Sequence, residues 1–127
     1  MKLLLDTHAV LWFFDGNEKL SEVAFEAILE PANVKYVSIV SAWELSIKIS
    51  LGKLKFEGGT ANFFMAIEES GFELLPIDEE HIKQVETLPF IHQDPFDRIL
   101  IASAICEDMS LVSADAKFCR YNVSCVW

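Results

Sequence analysis

The stretch Leu3-Leu4-Leu5-Asp6-Thr7-His8-Ala9-Val10-Leu11-Trp12 decides how the rest of the chain is read. Three leucines form a short apolar strand, and an acid ends it where a helix is expected to start. Apolar residues then run from Ala9 to Phe14. An aspartate at the end of a central strand is an N-cap at best, and an expensive place for an unpaired charge. A cation beside it would offset that cost.

Outward from this start, short apolar runs alternate with helical patterns. Strands are predicted at Leu3 to Leu5, Tyr36 to Val40, Phe72 to Ile77, Leu111 to Ser113 and Val123 to Val126. Ser21 is placed to cap a helix, and Val40, Trp43, Ile47 and Leu51 repeat at helical steps up to Gly52. Thr60 precedes a helix closed by Gly71, Asp78 opens one stopped by Pro89, and Asp94-Pro95 starts another. From Ile99 to Ile105 this last helix is almost wholly apolar, so it must be covered on most sides. Strand and helix in alternation predict an α/β fold, a parallel sheet with helices on both faces, in a single domain over residues 1–127.

Composition narrows the function. Of 127 residues, 52% are hydrophobic, which excludes a disordered chain. Twenty acidic against ten basic residues, a net charge of −10, argue against nucleic acid unless carboxylates converge on a divalent ion that reverses the local field. No apolar run is long enough to span a bilayer, and the first residues lack a signal-peptide pattern, so a soluble cytoplasmic protein is expected. Cys106, Cys119 and Cys125 lack metal spacing and are expected as reduced thiols, two of them in apolar surroundings.

In open α/β sheets ligands bind beyond the carboxyl ends of the strands, and four acids fall there: Asp6, Glu44, Asp97 and Asp115. Helix capping competes for each. Ser41-Ala42-Trp43-Glu44 fits a capping box, Asp94-Pro95-Phe96-Asp97 puts Asp97 in a first turn behind the cap Asp94, and Asp115 fits a cap before Ala116. Taken together, clustered carboxylates need a counter-charge, because repulsion would otherwise protonate some of them. Oxygen ligands alone select Mg²⁺ or Mn²⁺, ions suited to phosphodiester hydrolysis.

At these residues the chain resembles VapC-like PIN-domain toxins. The likeness rests on Leu4-Leu5-Asp6-Thr7-His8-Ala9-Val10-Leu11-Trp12 and Ser41-Ala42-Trp43-Glu44-Leu45-Ser46-Ile47-Lys48 with Gly52-Lys53-Leu54. Asp94 to Ala102 and Leu111-Val112-Ser113-Ala114-Asp115 with Phe118 complete it. The resemblance implies a PIN fold in which Asp6, Glu44, Asp97 and Asp115 bind one or two Mg²⁺ or Mn²⁺ ions. It also implies an endoribonuclease that is the toxin of a type II toxin–antitoxin pair, a homodimer silenced by a cognate antitoxin.

Asp6 and Asp97 are expected as the most direct ligands, Asp115 as a further one, and Glu44 as ligand or orienter of the attacking water. Thr7 and Ser113 are candidates to hydrogen-bond those carboxylates, or are ordinary strand-end hydroxyls. Arg98 is expected in a structural ion pair, with a phosphate contact as the alternative. Lys48, Lys53 and Lys55 are the candidates for an RNA backbone. His8, His81 and His92 lack the i, i+4 partner or carboxylate surroundings of a zinc site and are expected as surface or satisfied residues. Trp12, Phe13, Phe14, Phe63 and Phe64 are expected mostly in the core, the remainder at a dimer seam or antitoxin groove. Two other functions compete: a metal-dependent phosphatase or phosphotransferase using Asp6, and a non-catalytic scaffold that binds RNA or protein.

Overall fold

The computed structural model describes residues 1–127. Five strands form one parallel sheet in the order β3-β2-β1-β4-β5. They are β1 (Lys2–Leu5), β2 (Val34–Ser38), β3 (Glu73–Leu75), β4 (Ser110–Val112) and β5 (Cys125–Val126). The helices are α1 (Thr7–Asp15), α2 (Glu22–Leu29), α3 (Ile39–Ser50), α4 (Gly59–Glu69), α5 (Glu79–Thr87) and α6 (Pro95–Glu107). A 3-10 turn covers Ala116–Arg120.

The opening leucines explain the layering. All three are fully buried, and alternate side chains of a strand point to opposite faces. Leu3 and Leu5 join Val10, Ile28, Leu45 and Phe63, drawn from α1 to α4. Leu4 joins Leu100, Ile101 and Leu111 on the α6 side. The chain moves outward from β1 to β2 to β3 with α1–α4 on one face. It then crosses back to β4 through α5 and α6 on the other, as right-handed crossovers demand. The order of strand addition switches sides between β1 and β4, the place where open parallel sheets form a ligand crevice beyond the carboxyl ends of their strands.

Several boundaries differ from expectation. The apolar run Tyr36 to Val40 is strand only to Ser38, and the helix starts at Ile39, because strand and helix are indistinguishable in a run that is buried either way. Phe72 to Ile77 is strand only over Glu73–Leu75, and Val123 to Val126 only over Cys125–Val126. Thr60 lies inside α4, which begins at Gly59 after Gly58 at φ 80. The caps Ser21, Asp78 and Asp94 stand where expected, and α6 buries Leu100 through Ala104. No helix is long and apolar enough to cross a membrane. All three cysteines are free, but Cys106 and Cys119 are exposed and only Cys125 is half-buried, so two do not share apolar surroundings. Burial and the neighbouring Cys119 thiol push Cys125 up to about 12.

Candidate metal centre at the carboxyl ends of the strands

Asp6 follows β1 and is held beside the end of β4, its backbone N–H donating to Val112 O at 3.1 Å. Its carboxylate Oδ1 accepts from Ala9 N at 2.8 Å, so it caps α1. Capping does not relieve it. Burial raises its pKa, the Ser113 hydroxyl, the Ala9 N–H and His8 work against that, and the charge of Asp115 adds to it, leaving a net rise.

Glu44 is not a capping-box residue. Ser38 caps α3, its Oγ accepting from Val40 N at 3.1 Å, so Ser41 and Glu44 lie within the helix. Ser41 is fully buried and Glu44 nearly so. The Thr7 hydroxyl donates to Glu44 Oε1 at 2.8 Å and shares a 2.9 Å hydrogen bond with Ser41 Oγ. Lys48 Nζ lies 2.9 Å from Glu44 Oε2. Of the three candidate lysines, Lys48 is thus half-buried in an ion pair, while Lys53 and Lys55 are exposed.

Asp97 stands in the first turn of α6, behind the cap Asp94, whose Oδ1 accepts from Phe96 N. Burial raises its pKa first, and Asp94, Glu44 and Asp115 add repulsion against the pull of His92; the result is about 6. Acids from four separate stretches therefore feel one another here: Glu44 and Asp115 act on Asp97, and Asp115 acts on Asp6. Trp43 and Phe96 pack edge to face at 5.3 Å and tie α3 to α6 beside Glu44 and Asp97.

Asp115 caps the 3-10 turn, Oδ1 accepting from Lys117 N at 2.9 Å. Burial works to raise its pKa, but the hydrogen bonds from His92 and the Lys117 backbone N–H, with the positive charge of the Lys117 side chain, hold it below the usual value. Ser113, as expected of it, touches this group: its Oγ accepts from Asp115 N at 3.1 Å.

One expectation fails nearby. Arg98 makes no ion pair and is not free for a phosphate. It is buried, and its guanidinium donates to the carbonyls of Val85, Leu88, Pro89 and His92 at 3.0–3.2 Å, with Phe90 stacked 4.3 Å away. The charge of Arg98 thus closes the carboxyl end of α5, where carbonyls lack helical partners. His81 and His92 are satisfied residues, as expected, but carboxylates that their sequence surroundings do not show are among their partners. His92 Nε2 is 2.7 Å from Asp115 Oδ2, across 23 residues of sequence. No local spacing signals such a contact.

His81 lies with Asp78 and Glu107, their ligand atoms within 4.8 Å of one another. That trio is satisfied internally. Asp78 N donates to His81 Nδ1 at 3.3 Å, which leaves the ring proton on Nε2 for Glu107 at 3.2 Å. A cation at Nε2 would need the proton moved to Nδ1, against the Asp78 N–H. Glu107 ends α6 ten residues from Asp97, about 15 Å along the axis. This corner is a helix cap rather than a metal centre.

Among known proteins, the PIN domain family model matches residues 3–123. No curated protein matches the chain in sequence. Solved structures of similar fold include three from bacteria. VapBC2 from Rickettsia felis, bound to a DNA fragment from their promoter, is 18% identical with a TM-score of 0.75, covering 98% of this chain and 97% of that one. VapBC-1 from nontypeable Haemophilus influenzae is 17% identical with a TM-score of 0.70, covering 98% and 96%. FitAcB from Neisseria gonorrhoeae is 20% identical with a TM-score of 0.64, covering 97% and 95%. At such identities the likeness speaks for the fold alone.

Proposed function

Because the chain belongs to the PIN domain family, we propose that it is a metal-dependent endoribonuclease, the toxin of a type II toxin–antitoxin pair. The observation that carries this reading is Asp97 raised to about 6 by burial and by Asp94, Glu44 and Asp115, in the crevice that also holds Asp6. Desolvated like charges, with only Lys48 on Glu44 and Lys117 near Asp115 to offset them, suit a hard divalent ion. The donor set is oxygen only, which fits Mg²⁺ or Mn²⁺. Asp6, Asp97 and Asp115 would hold it, with Glu44 as ligand or orienter of water. Such an ion acts as a Lewis acid on a phosphodiester and lowers the pKa of a bound water.

The remaining steps belong to the chain. Thr7 and Lys48 take one oxygen each of Glu44, which fixes its carboxylate and leaves lone pairs to accept a proton from the attacking water. Lys53 and Lys55, exposed after α3, supply positive charge for the RNA backbone. An antitoxin partner is supported by the likeness in fold to a toxin–antitoxin complex from Klebsiella pneumoniae. A homodimer is supported by the groove of about 830 Å³ between α3, α5 and α6, where Trp43, Ile82 and Phe90 remain exposed.

Labelled RNA incubated with Mg²⁺ or Mn²⁺, beside a chelator control and Asp6→Asn, tests the proposal. Cutting that needs the ion and is lost in the variant supports it. Intact RNA with phosphate released from small monoesters would replace it with the phosphatase reading, and binding without either reaction with the scaffold reading.

A further inference from the structure

His92 is the one buried histidine that faces the acidic crevice, and every polar atom it carries has a partner. Its backbone N–H donates to Tyr121 Oη at 2.8 Å. Tyr121 Oη also lies 3.0 Å from His92 Nδ1, and His92 Nε2 lies 2.7 Å from Asp115 Oδ2. The Asp115 carboxylate only accepts, so the ring proton sits on Nε2 and is donated to Oδ2. With a neutral ring Nδ1 is then bare and accepts from the Tyr121 hydroxyl, whose oxygen in turn accepts the His92 backbone N–H.

The ring itself cannot swing. It packs 4.7 Å from the Phe118 ring and is stacked on Tyr121 at 5.5 Å, and Arg98 holds the His92 carbonyl at 3.2 Å. Asp115 is thereby gripped at both oxygens, Oδ1 by Lys117 N and Oδ2 by His92. Its carboxylate plane is set before any ligand arrives, and the remaining lone pairs are all it offers to the crevice.

We propose that His92, held in its Nε2–H form between Asp115 and Tyr121, is a positioning residue that sets the orientation of Asp115 for the divalent ion. The inference rests on the proposed metal centre and adds to it a buried Tyr121–His92–Asp115 relay outside the acidic quartet. Donors of this kind fix a ligand's orientation and raise its affinity for the ion. Leu in place of His92 removes the donor while keeping an apolar side chain. Gln restores an N–H near the position of Nε2.

Two measurements on the full chain test this. In the metal-free protein, ¹⁵N–¹H correlations of the imidazole should show Nδ1 unprotonated and Nε2 protonated, with that preference lost in Asp115→Ala, which takes away the acceptor at Nε2. Mn²⁺ titration should then give affinity weakened about 10–100-fold in His92→Leu and largely regained in His92→Gln. Thermal melts establish that each variant is folded. An Nδ1–H ring, or native Mn²⁺ affinity in folded His92→Leu, overturns the inference while leaving the metal centre standing. A native protein that binds no Mn²⁺ removes both, whatever the imidazole shows.

Discussion

The α5–α6 hairpin has a histidine and carboxylates at each end, and the two ends differ in kind. At the far end His81, Asp78 and Glu107 close on one another: a cap, a ring nitrogen and a carboxylate, each with a protein partner. At the crevice end, Asp6 and Asp97 stay crowded and desolvated, and hydrogen bonds do not bring either back to its ordinary pKa. Proximity of acids to a histidine is therefore a poor sign of a metal centre. Unrelieved repulsion at the carboxyl ends of parallel strands is a better one.

The difference can be broken by substitution. Asp97→Asn should lower metal-dependent RNA cleavage about a thousandfold, matching several kcal/mol of charge stabilisation lost. The same change should leave the metal-free protein as stable or more so near neutral pH, since it removes a half-buried repelled charge. Single-turnover cleavage and thermal melts read both. A variant that cuts normally would put the crevice on a par with the capped corner.

Arg98→Ala should cost about 3 kcal/mol in a urea titration, because four carbonyls lose a charged donor in a buried place. At the far corner, His81→Leu should cost about 2 kcal/mol through the Asp78 N–H and Glu107 left without it, yet leave cleavage unchanged. Loss of cleavage in the folded His81 variant would erase the contrast between the two ends.

Acidity sharpens the contrast least but most simply. The folded value of Asp97 lies above its ordinary 3.8, so the metal-free fold binds that proton more tightly than the unfolded chain does. Its contribution to stability is full below the ordinary value and is lost as pH rises through about 6. The ion competes for the same oxygens, so Mn²⁺ affinity should fall about tenfold per pH unit below that point. Isothermal titration between pH 5 and 7 would show this, and a flat profile would exclude Asp97 as a ligand.

Much of the fold is legible in the sequence because its punctuation is strong. Asp94-Pro95 opens α6, Asp78 caps α5, Ser21 caps α2, and three buried leucines identify the central strand. The Ser38–Val40 boundary is not legible, since residues buried as strand or as helix look alike, and a helix start placed late lets a capping box at Ser41 compete with the ligand reading of Glu44. The acids of the crevice stand out by their place after strands. Their surroundings do not: the reach of His92 to Asp115 and the four carbonyls of Arg98 depend on a crossover that brings distant segments together.

An anomalous difference map at the manganese edge, from crystals soaked in Mn²⁺ near pH 7, tests the whole scheme most directly. A peak enclosed by Asp6, Asp97 and Asp115 is the expected result. Density at His81 and Glu107 instead, or none in the crevice at saturating Mn²⁺, would contradict it.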